Sequence, residues 1–126
     1  MSFVIVFLGG GMGAALRHGI NSISAHVFGT RYPVGTFFIN VLGSLFIGVL
    51  AEVFALKTSL TPGLRLFLIT GVLGGFTTFS AFSLEIGLLY QRGETGAAVL
   101  YAIGSVVCGV AALFAGMYAV RHLIAT

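Results

Sequence analysis

The sequence predicts an all-α membrane protein, one unit over residues 1–126 with four transmembrane helices, and three observations lead there. Only 6 Lys/Arg and 3 Asp/Glu occur in a chain that is 58% hydrophobic, whereas a soluble domain carries charge at about 25% of its positions. No charge interrupts Tyr32 to Ala51, Leu66 to Leu84 or Thr95 to Val120, and about 20 apolar residues cross the hydrocarbon core as a helix. The stretches between these runs, such as Lys57-Thr58-Ser59-Leu60, are too short to hide a soluble domain.

The first span, expected over 3–26, is the least obvious. Its apolar run ends at Leu16 and becomes long enough only by continuing past Arg17 and His18 towards Ile23. A secretory signal needs a positive leading region, and no Lys or Arg precedes Arg17, so the segment reads as a retained span. Pro33 and Pro62 stand where the second (33–55) and third (62–90) helices begin; a first turn tolerates proline because its N–H would be unpaired there. Thr61 suits the N-cap of the third helix. The fourth is expected over 95–121. No internal repeat is visible.

Small residues predict where helices touch, since lipid supplies no hydrophobic drive for association. Gly9/Gly13, Ser44/Gly48, Gly71/Gly75, Gly104/Cys108 and Ala112/Gly116 give each helix a close-contact face. Four short helices enclose little water path, so oligomerisation is the natural expectation. The flanking charges set no orientation: Lys57, Arg65 and Arg121 lie on one side, Arg31 and Arg92 on the other, with Arg17 joining them if it snorkels. Weak signal from few charges and insertion in both directions explain this balance equally well.

Three features carry chemistry. The run Gly71-Val72-Leu73-Gly74-Gly75-Phe76-Thr77-Thr78 is poor helical sequence. It reads either as a glycine-eased helix crossing or as a break whose freed carbonyls line a cavity or hold a cation. Beyond it Phe79 and Phe82 share a helix face, with Ser80 and Ser83 as a polar strip beside them. Ring edges are the positive end of the phenyl quadrupole, so the pair suits an anion as well as ordinary packing. On the second helix Thr36, Asn40 and Ser44 form one polar stripe, and Tyr101, Ser105 and Gly109 form a weaker one on the fourth. Asn in mid-span marks a packing hydrogen bond or a pathway.

Arg17 is an intramembrane charge or a snorkelling anchor, Glu85 a vestibule group or packing partner, and Glu52 a helix end. His18, His26 and His122 lack metal-ligand spacing, Cys108 is alone, and no Lys/Arg run suggests nucleic acid. No catalytic constellation is present, so an enzyme is not expected.

The run Gly74-Gly75-Phe76-Thr77-Thr78-Phe79-Ser80-Ala81-Phe82-Ser83 closely resembles the third-helix signature of the Fluc (CrcB) fluoride channels of microbes. Gly35-Thr36-Phe37-Phe38-Ile39-Asn40 resembles that family's second-helix motif, and Gly9 to Arg17 its glycine-rich first helix. Ala81 departs from a common threonine, and Gly109 from a serine that can occur there. The resemblance implies passive fluoride export across the cell membrane by an antiparallel, dual-topology homodimer with two pores and a central structural sodium ion (Na+). It implies Phe79 and Phe82 as pore phenylalanines, Asn40 as an anion-side donor, and backbone carbonyls of Gly74 and Thr77 as sodium ligands. Ser80, Ser83, Thr36, Tyr101 and Ser105 follow as polar-track members, with Arg17 and Glu85 as accessory positions. The rivals are a small four-helix multidrug or cation exporter, which is expected to place a carboxylate in its first helix where this chain has none, and a non-transporting packing subunit.

Overall fold

The computed structural model describes residues 1–124. It is all-helical, and Ser2–Phe28, Val34–Leu56, Pro62–Gln91 and Thr95–Ile124 are each long and apolar enough to cross a membrane. The chain is thus a multi-pass membrane protein.

Helix α1 (Ser2–Phe28) runs unbroken past Arg17 and His18 and stops at Gly29, whose φ of 79° only glycine adopts readily. Helix α2 spans Val34–Leu56. Pro33 precedes its first turn instead of occupying it, because the Val34 N–H closes a tight turn onto the Tyr32 carbonyl at 2.9 Å and delays the helix by a residue.

The third span is segmented. Helix α3 (Pro62–Arg65) has Pro62 in its first turn, and the Thr61 hydroxyl accepts the Leu64 N–H at 3.2 Å. A π-helical stretch follows over Leu66–Leu73, then α4 over Gly74–Phe76. Thr77 and Thr78 are extended (φ −82°, ψ 158° and φ −151°, ψ 123°) before α5 resumes over Phe79–Gln91. Helix α6 (Thr95–Ile124) continues beyond the expected end at residue 121.

Close backbone packing holds these elements. Along α1, a Cβ on Gly13 would sit 2.8 Å from the Phe76 amide nitrogen, and one on Gly9 2.7 Å from the Phe67 carbonyl oxygen. Gly75 abuts the Gly10 backbone in return, while Gly48 and Gly116 perform the same service between α2 and α6. The expected Gly104/Cys108 face is different: nothing lies within 4 Å of a Cβ on Gly104, and Cys108 is exposed. Those two residues border an open apolar groove with Leu100, Phe37 and Leu89. Ile39, Leu73 and Phe76 form the buried core cluster, which ties α2 to the third span. Glu52, expected at a helix end, is buried inside α2 and pairs with Arg121 Nε at 3.1 Å, fastening α2 to the end of α6.

Candidate functional site

The site grows from the two extended residues. Where helical bonding lapses, Asn40 of α2 takes over: its Nδ2 donates to the Thr78 carbonyl at 3.0 Å, and its Oδ1 accepts the Thr78 N–H at 2.9 Å. The mid-span asparagine thus pairs with one residue's backbone as a strand would. The Thr78 hydroxyl then accepts the Ala81 N–H at 3.1 Å and caps α5. These bonds have a consequence for oxygen atoms nearby. In an unbroken α-helix the N–H groups of Thr78 and Ala81 return to the carbonyls of Gly74 and Thr77. Here they are spent on Asn40 and on the Thr78 hydroxyl, so both carbonyls lose their helical donors. The Gly75 carbonyl accepts Arg17 Nε at 3.2 Å, so this arginine is anchored to the third span. Among the described residues no cluster of three or more His, Cys, Asp or Glu is placed to hold a metal.

Beside the interruption lies a cavity of about 320 Å³ lined by Asn40, Ser44, Thr78, Phe79, Phe82 and Ser105, among others. Its polar groups are neutral. The Ser105 hydroxyl is buried and has no hydrogen-bond partner among the described residues, an arrangement that costs about 1–3 kcal/mol unless something enters to meet it. Phe79 and Phe82 have ring centroids 5.8 Å apart at 50°, and Phe82 meets Tyr101 edge-on at 5.1 Å. Phe82 is 9% exposed but Phe79 is 78% exposed, at the rim. Ser80 and Ser83 are exposed and do not line this cavity; Ser80 lies 3.4 Å from the Thr78 hydroxyl.

Next to Phe82 a second cluster forms. Thr36, 2% exposed, donates to Glu85 Oε2 at 2.9 Å, and the Tyr101 hydroxyl donates to Oε1 at 3.1 Å. Three elements therefore meet on one carboxylate. The sequence marked each residue singly and missed that Glu85 joins Thr36 to Tyr101, because i, i+4 spacing reports faces within a helix and not contacts between helices.

At the loop end, Glu94 gathers three groups: the Tyr32 hydroxyl at 2.8 Å and Nη2 of Arg31 and of Arg92, both at 3.3 Å. Arg92 also donates to the Arg31 carbonyl, and the Arg31 guanidinium lies 5.5 Å over the Tyr32 ring. The Tyr32 hydrogen bond first, then the arginines, hold the Glu94 carboxyl below the usual range, while the Arg31 guanidinium is pushed further up, chiefly by Glu94.

Comparison with known proteins places the chain in a family. The family model described as CrcB-like protein, Camphor Resistance (CrcB), matches residues 4–117. The chain is 58% identical over 123 residues to fluoride-specific ion channel FluC 2 of Nitrobacter hamburgensis, covering 98% of this chain and 99% of that protein. It is 54% identical over 123 residues to fluoride-specific ion channel FluC of Rhodopseudomonas palustris strain BisB5, with 98% and 99% covered. The FluC of Granulibacter bethesdensis is 52% identical over 124 residues, covering 98% of each chain. Matched by the family model over residues 4–117 and by these relatives over nearly its whole length, the chain belongs to the CrcB family.

Proposed function

We propose that the protein is a passive, fluoride-selective channel of the cell membrane. The observation that carries this reading is the cavity of Asn40, Phe79, Phe82 and Ser105, with its buried unpartnered hydroxyl, in a chain whose relatives are named fluoride-specific ion channels. Fluoride is small and strongly hydrated, so a pore must replace water with donors. The Ser105 hydroxyl and the second amide hydrogen of Asn40 serve as such donors, and the phenyl edges of Phe79 and Phe82 add weak positive contacts. Weak contacts suit conduction, since a site that held the ion tightly would not release it.

The channel works as an antiparallel, dual-topology homodimer with two pores. Support comes from Phe79, Ser80 and Ser83, which a single chain leaves on its outer face. Hydroxyls in lipid are costly, and a second copy would cover the strip and add Ser80 and Ser83 to a shared polar track. A sodium ion joins the copies through the Gly74 and Thr77 carbonyls. What supports it is the loss of helical donors from those two oxygens, which are hard ligands suited to a small cation.

Efflux of fluoride and of chloride from liposomes loaded with each ion, reconstituted with purified protein, tests the reading. Fast fluoride release with negligible chloride release is expected; no release above protein-free liposomes, or equal release of both ions, contradicts it.

A further inference from the structure

An apolar groove of about 580 Å³ runs between α6 and the start of α2. Ala97, Leu100, Gly104 and Cys108 line it from α6, and Val34 and Phe37 from α2. These α6 positions recur every three or four residues, so the groove follows the helix axis. From Ala97 to Cys108 the helix rises about 16 Å at 1.5 Å per residue. Half of a hydrocarbon core about 30 Å thick is about 15 Å. The groove therefore spans one leaflet, from the loop end towards mid-membrane.

Gly104 makes a notch in this wall: nothing lies within 4 Å of a Cβ there, and Leu100 and Cys108 on either side are exposed. Left empty, such a space forfeits dispersion contacts. Water finds little to bond to, since the Tyr101 hydroxyl beside it is already committed to Glu85 at 3.1 Å. The chemistry changes at the loop end. Tyr32 lines the groove there, and the Arg31 guanidinium lies 5.5 Å over its ring, with the side chain 73% exposed. Arg31 and Arg92 share Glu94, both at 3.3 Å, so one positive charge is in surplus. A second copy of the chain suits this mouth poorly. Inverted, it brings the end that carries Lys57, Arg65 and Arg121; upright, it brings Arg31 and Arg92 again. Either way cations meet cations. An acyl chain below a negative headgroup matches both the apolar length and the charge at its mouth.

We propose that this groove is a binding site for one acyl chain of an anionic phospholipid, whose headgroup phosphate meets Arg31 and Arg92. Moving from one hydrocarbon surrounding to another supplies no hydrophobic drive, so the groove accepts a chain without choosing among lipids. The headgroup makes the choice. One basic residue near the membrane surface favours an anionic lipid about fivefold, and here one such charge is uncompensated. Tyr32 then stands at headgroup level, where aromatic rings gather. The inference stands on the membrane spans and the groove, and needs no passage of fluoride.

The chain contains no tryptophan, so Leu100→Trp places a single reporter on the groove wall, which lipids with brominated chains quench on contact. The variant is reconstituted in phosphatidylcholine vesicles containing equal fractions of either brominated phosphatidylglycerol or brominated phosphatidylcholine. Quenching at Leu100→Trp should favour phosphatidylglycerol about fivefold in relative affinity. Ile23→Trp, exposed on α1 and outside the groove, should give a ratio near one. In the Leu100→Trp background, Arg31→Gln combined with Arg92→Gln should bring the ratio to one or below, because Glu94 is then uncompensated. Glu94→Gln keeps both arginines and should raise it about fivefold again. Gly104→Leu starts from a position with nothing within 4 Å of a Cβ; it fills the notch and should return the ratio to near one although every charge remains. The site is overturned by a ratio near one at Leu100→Trp or by an equal preference at Ile23→Trp. It is equally overturned if the preference survives the arginine or Gly104 changes, or fails to rise in Glu94→Gln. No quenching of Leu100→Trp by either lipid would show that a second copy covers the groove, and overturns it too.

Discussion

Asn40 shows how one residue carries both structure and the proposed transport. Both ends of its amide are engaged by Thr78, yet Nδ2 keeps a second hydrogen to give, and Asn40 lines the cavity. Asn40→Asp retains an acceptor for the Thr78 N–H but sets a carboxylate oxygen against the Thr78 carbonyl and adds negative charge to an anion path. Loss of fluoride flux is expected, with a stability loss of about 1–3 kcal/mol, read from flux and from thermal unfolding in detergent. An Asn in mid-span announced a hydrogen bond or a pathway in the sequence, and could not say which. The choice depends on what stands opposite, which no spacing rule encodes.

At the scale of elements, the glycine pairs foretold which faces approach but not their partners. Gly9 and Gly13 meet the third span, and Gly48 and Gly116 join α2 to α6, whereas Gly104 meets nothing. Gly75→Ala should therefore cost about 1–3 kcal/mol by forcing α4 off the Gly10 backbone. Gly87→Ala, with open space around it inside α5, should stabilise by up to about 1 kcal/mol; unfolding of both variants in detergent checks the contrast. The π-helical stretch over Leu66–Leu73 was not legible, because its leucines, isoleucine and valine are ordinary apolar-helix residues. It packs closely on α1, where Gly9 meets the backbone of Phe67 and Gly71. At the loops, Glu94 gives a pH dependence whose sign is fixed. Its carboxyl is held below the ordinary range, so the clasp contributes fully above the unfolded value of about 4.3 and fades as pH falls through the folded one. The gap in thermal midpoint between wild type and Glu94→Gln should accordingly close as the solution is taken below about pH 4.

For the whole molecule, four spans were readable because hydrocarbon thickness and scarce charge leave few alternatives. The proposed assembly is a different matter, since a single chain reports only what it leaves uncovered. Balanced flanking charge motivates dual topology. Single cysteines at positions 58 and 93, in a Cys108→Ala background, should each be labelled from both sides of the membrane, and labelling of each from one side only contradicts it. The central claim is that fluoride passes along the rings of Phe79 and Phe82. Its most direct test is the fluoride efflux rate of Phe79→Ile and Phe82→Ile in liposomes, beside Phe7→Ile, an exposed α1 residue outside the cavity. The two ring variants should assemble normally and lose most or all flux while Phe7→Ile conducts like the wild type; wild-type rates in both ring variants would show that the path lies elsewhere.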